Sequence, residues 1–224
     1  MNTMQNDETL ASLHFIRGQI LFEYNEGKTI ARRCLSPDAV RHALLLREFD
    51  SGWISPHTIR HGEGSNGPWV IQHYPAQSYT LHFDTPIDGH TLPPVTSIQI
   101  PLPAFLFIGE QRKYHIFAIR TWNHDRTTLY HAPVPNVSLD GTICYGDATP
   151  PIASPTTIEQ AWRLFWSSRF NGDHTGDKSR KYPENILFQL HDIAQQQSRT
   201  YPGTDLIRAR TTMKEILSAN PRHT

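Results

Sequence analysis

The sequence predicts an α+β fold whose strands and helices occupy different stretches of the chain. Three observations predict it. Apolar residues alternate with a period of two over roughly 79–121, a proline-rich stretch over 122–154 shows no regular period, and apolar residues then recur at spacings of three and four.

Each element can be justified in order. Leu13 and Phe15 alternate with Ser12 and His14. After Gly18, Ile20, Phe22 and Tyr24 alternate with Gln19, Leu21 and Glu23, which predicts a hairpin over 13–24, followed by turn residues Asn25-Glu26-Gly27. Ser36-Pro37-Asp38 has the chemistry of a helix start, and Val40, Ala43, Leu44 and Arg47 follow at helical spacing, so a helix is expected from Ser36 to near Asp50-Ser51-Gly52. Residues 53–78 are rich in Gly, Pro and His and read as irregular. Tyr79, Leu81 and Phe83, residues 97–100, the apolar run Ala104–Ile108 and Lys113–Thr121 are strand candidates, interrupted at Pro101 and Pro103. Turns at Asp88-Gly89 and Gly109-Glu110 would link them into one antiparallel meander.

Beyond the proline-rich stretch, Thr156 and Glu159 form a capping-box pattern. Ile158, Ala161, Trp162, Phe165 and Arg169 continue it as a helix to about Phe170. Asn171–Arg180 is a polar loop. Pro183 opens a helix carrying Ile186, Leu187, Leu190, Ile193 and Ala194 on one face, and a last helix is expected over Thr204–Ser218. The organisation is an extension over 1–52, a hairpin and a helix, followed by the main domain over 53–224.

Composition narrows the classes of function. The 224 residues suffice for a real core, and a hydrophobic share of 38% with 19% charged residues is not that of a disordered chain. Lys plus Arg and Asp plus Glu both total 21, so the balanced charge gives nucleic acid no electrostatic claim as a first partner. Met1–Thr9 is polar, and no stretch has the length of a membrane span, so a membrane is not an expected partner and a reducing cytoplasm is the expected compartment. Two cysteines make no disulfide framework. Cys34 reads as a small, partly buried apolar residue.

Cys144 reads differently. Pro135-Asn136 leaves the backbone extended and then able to turn, and Asp140-Gly141 marks a tight turn. A cysteine held on such a loop, close before a helix, can be exposed as a reactive thiol must be. Asn136 and Cys144 lie eight residues apart, with Gly141-Thr142-Ile143 leading into the thiol. That pattern resembles ubiquitin-conjugating enzymes, in which a His-Pro-Asn motif precedes the catalytic cysteine by the same interval. Thr127-Thr128-Leu129-Tyr130-His131-Ala132-Pro133, Pro135-Asn136-Val137, Cys144-Tyr145-Gly146 and Ala161–Phe170 are further similar to the protein B family of the bacterial PRTRC cassette. That family is classed as prokaryotic ubiquitin-conjugating-enzyme-like family D. The strong similarity covers about 104–175.

The resemblance implies a ubiquitin-conjugating-like fold over 53–224 and a thiol relay. A ThiF-type activating enzyme would load a ubiquitin-like protein, Cys144 would accept it as a thioester, and an amine or thiol would receive it. No cofactor or metal of its own is implied. Asn136 would donate its amide to the developing oxyanion or hold the loop that positions Cys144; such a donor contributes about 3 kcal/mol to a barrier. His131, Asp140 and Tyr145 are candidate supporting residues. Val134 stands where the motif has its histidine, and His131 is a partial substitute for that residue's structural role. Asp173 and Asp177 are alternatives for the acid that often flanks the thiol.

Two rival readings accompany this one: a non-catalytic module that binds a ubiquitin-like or activating protein, and a thiol hydrolase pairing Cys144 with His131 or His174. The latter lacks an acid to orient the histidine. His57 and His61 have metal-ligand spacing only if helical, which Pro56 and Gly62 oppose. Gly62–Gly67 lacks the lysine of a phosphate loop and reads as a turn. Trp162, Phe165, Trp166 and Phe170 read as core and partner surface rather than a base-stacking platform.

Overall fold

The computed structural model describes residues 11–17, 19–26, 29–45, 53–64, 66–83 and 97–218. The chain divides into two compact units, Met1–Ser51 and Gly52–Thr224. In the first, β1 (Ala11–Ile16), β2 (Gln19–Glu26) and β3 (Thr29–Leu35) form an antiparallel sheet in that order, followed by α1 (Pro37–Leu45). The expected hairpin is present, with Phe15 opposite Ile20, but a third strand extends it. Arg32 and Arg33 interrupt any apolar alternation in β3. Pairing with β2, and an ion pair from Arg32 to Glu23 at 2.6 Å, hold the strand instead. Cys34 lies on β3 opposite Leu21 and is exposed, which corrects its reading as a partly buried residue. Ser36 starts α1 as expected: its Oγ accepts the Ala39 amide at 3.1 Å. The expected end of this helix lies outside the described residues.

In the second unit, β4 (Thr58–Gly64), β5 (Gly67–Tyr74), β6 (Gln77–Phe83), β7 (Ser97–Leu102), β8 (Ala104–Glu110) and β9 (Lys113–Ile119) build two sheets. With β10 (Tyr130–His131), one sheet has the order β10-β9-β8-β5-β4; the other begins with β6 and β7. Residues 53–57 are irregular as expected, but most of 58–78 is strand. Glycine in β4 has a packing reason: a Cβ on Gly62 would lie 2.7 Å from the Trp69 ring on the paired strand. The single meander is also corrected. β6 pairs with β7 and β8 with β9, but the chain changes sheets at Pro103, which has no N–H to continue a ladder. Pro101 is tolerated within β7 because that strand is an edge. The turn expected at Gly109-Glu110 forms at Gln111-Arg112, where Gln111 takes φ 52°. The Asp88-Gly89 turn lies outside the described residues.

β8 shows why its apolar run has no alternation: both faces are covered. Phe105 and Phe107 enter the main core with β6, β7 and the helices, whereas Leu106 and Ile108 pack with Phe117, Leu129, Ala209 and Met213 on the other side. In the main core, α2 (Ile158–Ser167) lays Trp162 on Tyr74 at 3.8 Å and Trp166 on Tyr79 at 4.0 Å. One helix thus bonds to strands of both sheets through aromatic stacking, worth about 0.5–1.5 kcal/mol per pair beyond burial.

The helix boundaries differ from expectation for local reasons. Ser154, not a Thr156–Glu159 box, receives the Thr157 amide, and Glu159 pairs with Arg163 at 3.0 Å. α2 stops at Ser167 because Arg169 and Phe170 form β11 (Arg169–Phe170), parallel to β6. The next helix, α3 (Ile186–Gln195), is capped by Asn185 rather than opened at Pro183. The expected helix from Thr204 is confined to α4 (Met213–Ser218). Leu206 and Arg208 instead form bridges with Ser179 and Tyr130, and strand pairing displaces helix there. The whole is a mixed α+β structure dominated by antiparallel sheets with few helices. Among the described residues, no helix is long and apolar enough to cross a membrane.

Candidate functional site

The interval between Asn136 and Cys144 is a hairpin register. Val137 faces Ile143 in an isolated bridge, the Ser138 amide donates to the Thr142 carbonyl at 2.9 Å, and the Cys144 amide donates to the Asn136 carbonyl at 2.8 Å. Asn136 and Cys144 are therefore directly opposed across the pair. The second arm also pairs with the edge of β9 beside β10: Ile116 N–H donates to Gly141 and Ile143 N–H to Tyr114, at 2.9 and 3.0 Å. Cys144 itself is exposed.

The turn is specified by its residues. Asp140 Oδ1 accepts the Thr142 amide at 2.9 Å and the Ser138 hydroxyl. Partial burial works to raise the Asp140 pKa, but these two donors hold it below the ordinary carboxylate value. Gly141 has φ 86°, and a Cβ there would come within 2.5 Å of the Phe117 ring, so both backbone and space require glycine.

Asn136 is buried at φ 60°, a left-handed conformation that asparagine tolerates better than most residues. Its Nδ2 donates to the Arg169 carbonyl at 3.1 Å and its Oδ1 accepts the Asn171 amide at 3.3 Å. Its own amide donates to the Asp173 carbonyl at 3.0 Å. The side chain thus fastens the thiol hairpin to the segment leaving β11. Asp173 meets the site through its main chain, and its carboxylate accepts from Asn171 Nδ2 at 2.9 Å. Asp177 lies at φ 57°, its amide on the Pro183 carbonyl at 2.7 Å.

The other expected residues are placed as follows. Tyr145 anchors the chain after the thiol, its hydroxyl donating to Ala161 of α2 at 3.2 Å, and burial raises its pKa. His131 is buried beneath the hairpin. Burial lowers its pKa; the Leu139 carbonyl acts to raise it and Lys178 to lower it. Its Nδ1 has no hydrogen-bond partner. His174 is exposed at φ 54°. Val134 is fully buried. His57 precedes β4 with Nδ1 at 3.1 Å from the His73 carbonyl, while His61 lies exposed on β4. Among the described residues no group of three or more His, Cys, Asp or Glu is placed to hold a metal ion.

Lys178 was not singled out by the sequence, where it sits in a polar loop and looks like a surface residue. It is fully buried, and its Nζ donates to the Val134 carbonyl at 2.6 Å and to the Val137 carbonyl. Burial pulls its pKa down to about 7.

Comparison with known families bears on this hairpin. The model of prokaryotic E2 family D matches residues 39–209, more than half of the chain. The chain belongs to prokaryotic E2 family D. The match spans the thiol hairpin, both sheets of the second unit, α2 and α3, and begins within α1. No curated protein and no solved structure gave a match. In this family D chain, the ubiquitin-conjugation theme therefore rests on the family match.

Proposed function

We propose that this family D protein is a ubiquitin-conjugating-like acyl carrier with Cys144 as the thioester-forming residue. The observation that carries the reading is the hairpin register, which places an exposed thiol directly across from Asn136 on a backbone fixed from several sides. The Cys144 thiolate attacks the thioester carbonyl of a ubiquitin-like protein loaded on a ThiF-type activating enzyme. The activating enzyme's thiolate leaves, and an amine or thiol of the acceptor then attacks the Cys144 thioester and regenerates the thiol. ATP enters only through the activating partner. In this reading, the chain keeps a ubiquitin-conjugating-like scaffold over its second unit, with the first unit as a family-specific extension.

The committed amide of Asn136 supports the loop-holding role over direct oxyanion donation, because both ends of the amide already bond main-chain groups. Similarly, the burial of His131 beneath the hairpin, with the Leu139 carbonyl as its neighbour, favours an acyl carrier over a Cys–His hydrolase.

The test mixes the protein with a ThiF-type activating enzyme, a ubiquitin-like protein and ATP. A thiol-sensitive adduct should form, Cys144→Ser should give a slower, thiol-resistant ester, and Cys144→Ala should give none. An adduct on Cys144→Ala would overturn the assignment. Binding of the ubiquitin-like protein with no adduct on the wild type would instead favour the non-catalytic module.

A further inference from the structure

We propose that Lys178 is a positioning residue for the thiol hairpin, bracing from inside the protein the two carbonyls that flank Asn136. Lysine is almost never fully buried without a paired carboxylate. Here the acceptors of Nζ are two main-chain carbonyls, Val134 and Val137. An apolar residue of similar volume would fill the same space without the cost of desolvating an amine. Packing alone therefore gives no reason for a lysine, whereas the loop does. The left-handed turn at Asn136 takes the backbone out of regular pairing, and carbonyls facing the interior there need donors. Lys178 supplies both from a single side chain.

The brace is itself anchored. The next residue, Ser179, donates its hydroxyl to Asp205 at 2.9 Å. Asp205 is buried and also accepts the Lys181 amide at 2.9 Å and the Tyr201 hydroxyl at 2.7 Å. The lysine thus reaches the hairpin from a fixed point. Its two bonds lie on either side of Asn136, whose carbonyl holds the Cys144 amide. In this way Lys178 performs the loop-supporting duty at a position where Val134 offers no polar side chain. The brace concerns the loop itself, and only its consequence for acyl transfer rests on the thioester reading.

The test uses the full chain in a Cys34→Ser background, so that one thiol remains. Lys178→Met keeps the bulk and removes the donors, while Lys178→Gln restores an N–H donor on a shorter stem. In folded Lys178→Met, amide exchange at Cys144 should become about ten-fold faster relative to the amides of Leu106 and Phe107 in β8. The iodoacetamide rate at Cys144 should change with it, and Lys178→Gln should recover part of both effects. In the adduct assay, the rate of transfer should fall more than the apparent affinity for the loaded activating enzyme. Exchange and alkylation need no partner, so they stand or fall apart from the thioester reading. A folded Lys178→Met that keeps wild-type protection at Cys144, or one that loses protection evenly across β8, overturns the proposal. If neither variant folds, trinitrobenzenesulfonate labelling of the wild type decides. Protection of Lys178 while Lys113 and Lys181 react supports the brace, and equal labelling of all three overturns it.

Discussion

The two cysteines of this chain are both exposed and both free, yet they sit in very different surroundings. Cys34 lies on β3 of a three-stranded sheet, across from Leu21, in a strand with a mostly exposed pattern. Cys144 ends a hairpin whose opposite arm is buried from Ala132 to Val137. That hairpin is held by β9, by the Asn136 amide and by a buried lysine. Exposure alone therefore does not set Cys144 apart from Cys34. What distinguishes Cys144 is the amount of structure committed to fixing the backbone that presents it, and under the proposed acyl-carrier function that is the pre-organisation the transfer requires. The contrast also provides a control within one molecule, because Cys34 can report on changes that are not specific to the hairpin.

The largest effect on the contrast should come from Gly141→Ala. The new methyl group would be forced into a backbone at φ 86° and against the buried ring of Phe117. Strain and overpacking together should cost of order 2–5 kcal/mol, read as a lower urea midpoint. Alkylation should shift at Cys144 and hold steady at Cys34. An equal shift at both thiols would break the comparison.

Gly141 also shows what the sequence can and cannot disclose. Asp140-Gly141 announces a turn through local chemistry and was legible, whereas the interval from Asn136 to Cys144 is a hairpin register that only the structure shows. The Tyr79–Phe83 strand and the β8 run were legible too, because their burial patterns are written in their side chains. The hidden parts depend on distant contacts. β4 and β5 carry glycines and histidines that look irregular until Trp69 is laid over Gly62. The segment 204–212 has apolar residues at helical spacing but is drawn into bridges with Tyr130 and Ser179. Lys178 is the extreme case: nothing near it in sequence indicates that two carbonyls some forty residues earlier will receive its amine.

A smaller effect should separate Asn136→Ala from Asn136→Gly. Both remove the bonds to Arg169 and Asn171, each bond being worth about 1 kcal/mol. Alanine must in addition hold the left-handed φ of 60°, which glycine accepts. Stability should therefore fall in the order wild type, glycine, alanine, with about 1 kcal/mol between the last two in urea unfolding. If Asn136 serves the loop, both variants should also perturb Cys144 alkylation with no partner present. A stable Asn136→Gly with unchanged alkylation and lost adduct formation would restore the oxyanion role.

The mildest perturbation is pH, read on the second unit. All five tryptophans lie in the second unit, so their fluorescence follows the unfolding of the unit that carries Cys144. Lys178 has a folded pKa of about 7 against an ordinary 10.5. Between those values the unfolded chain binds a proton that the folded chain has released, so stability rises with pH, by at most about 1.4 kcal/mol per pH unit. His131 adds to the same trend at lower pH, since burial depresses it below 6.5 and Lys178 does so further, against the opposite pull of the Leu139 carbonyl and Asp177; Arg210 acts with Lys178. Tyr79 and Tyr114, which burial pushes up to about 12, reverse the trend above pH 10, where the unfolded chain sheds phenolic protons that the folded one keeps. Stability should thus peak on the alkaline side of neutrality, between about pH 8 and 10, rather than at the sequence pI of 7.2. Lys178→Met should flatten the rise from pH 7 to 9 and leave the alkaline fall in place. If the rise survives in that variant, the ammonium under the hairpin is not its source.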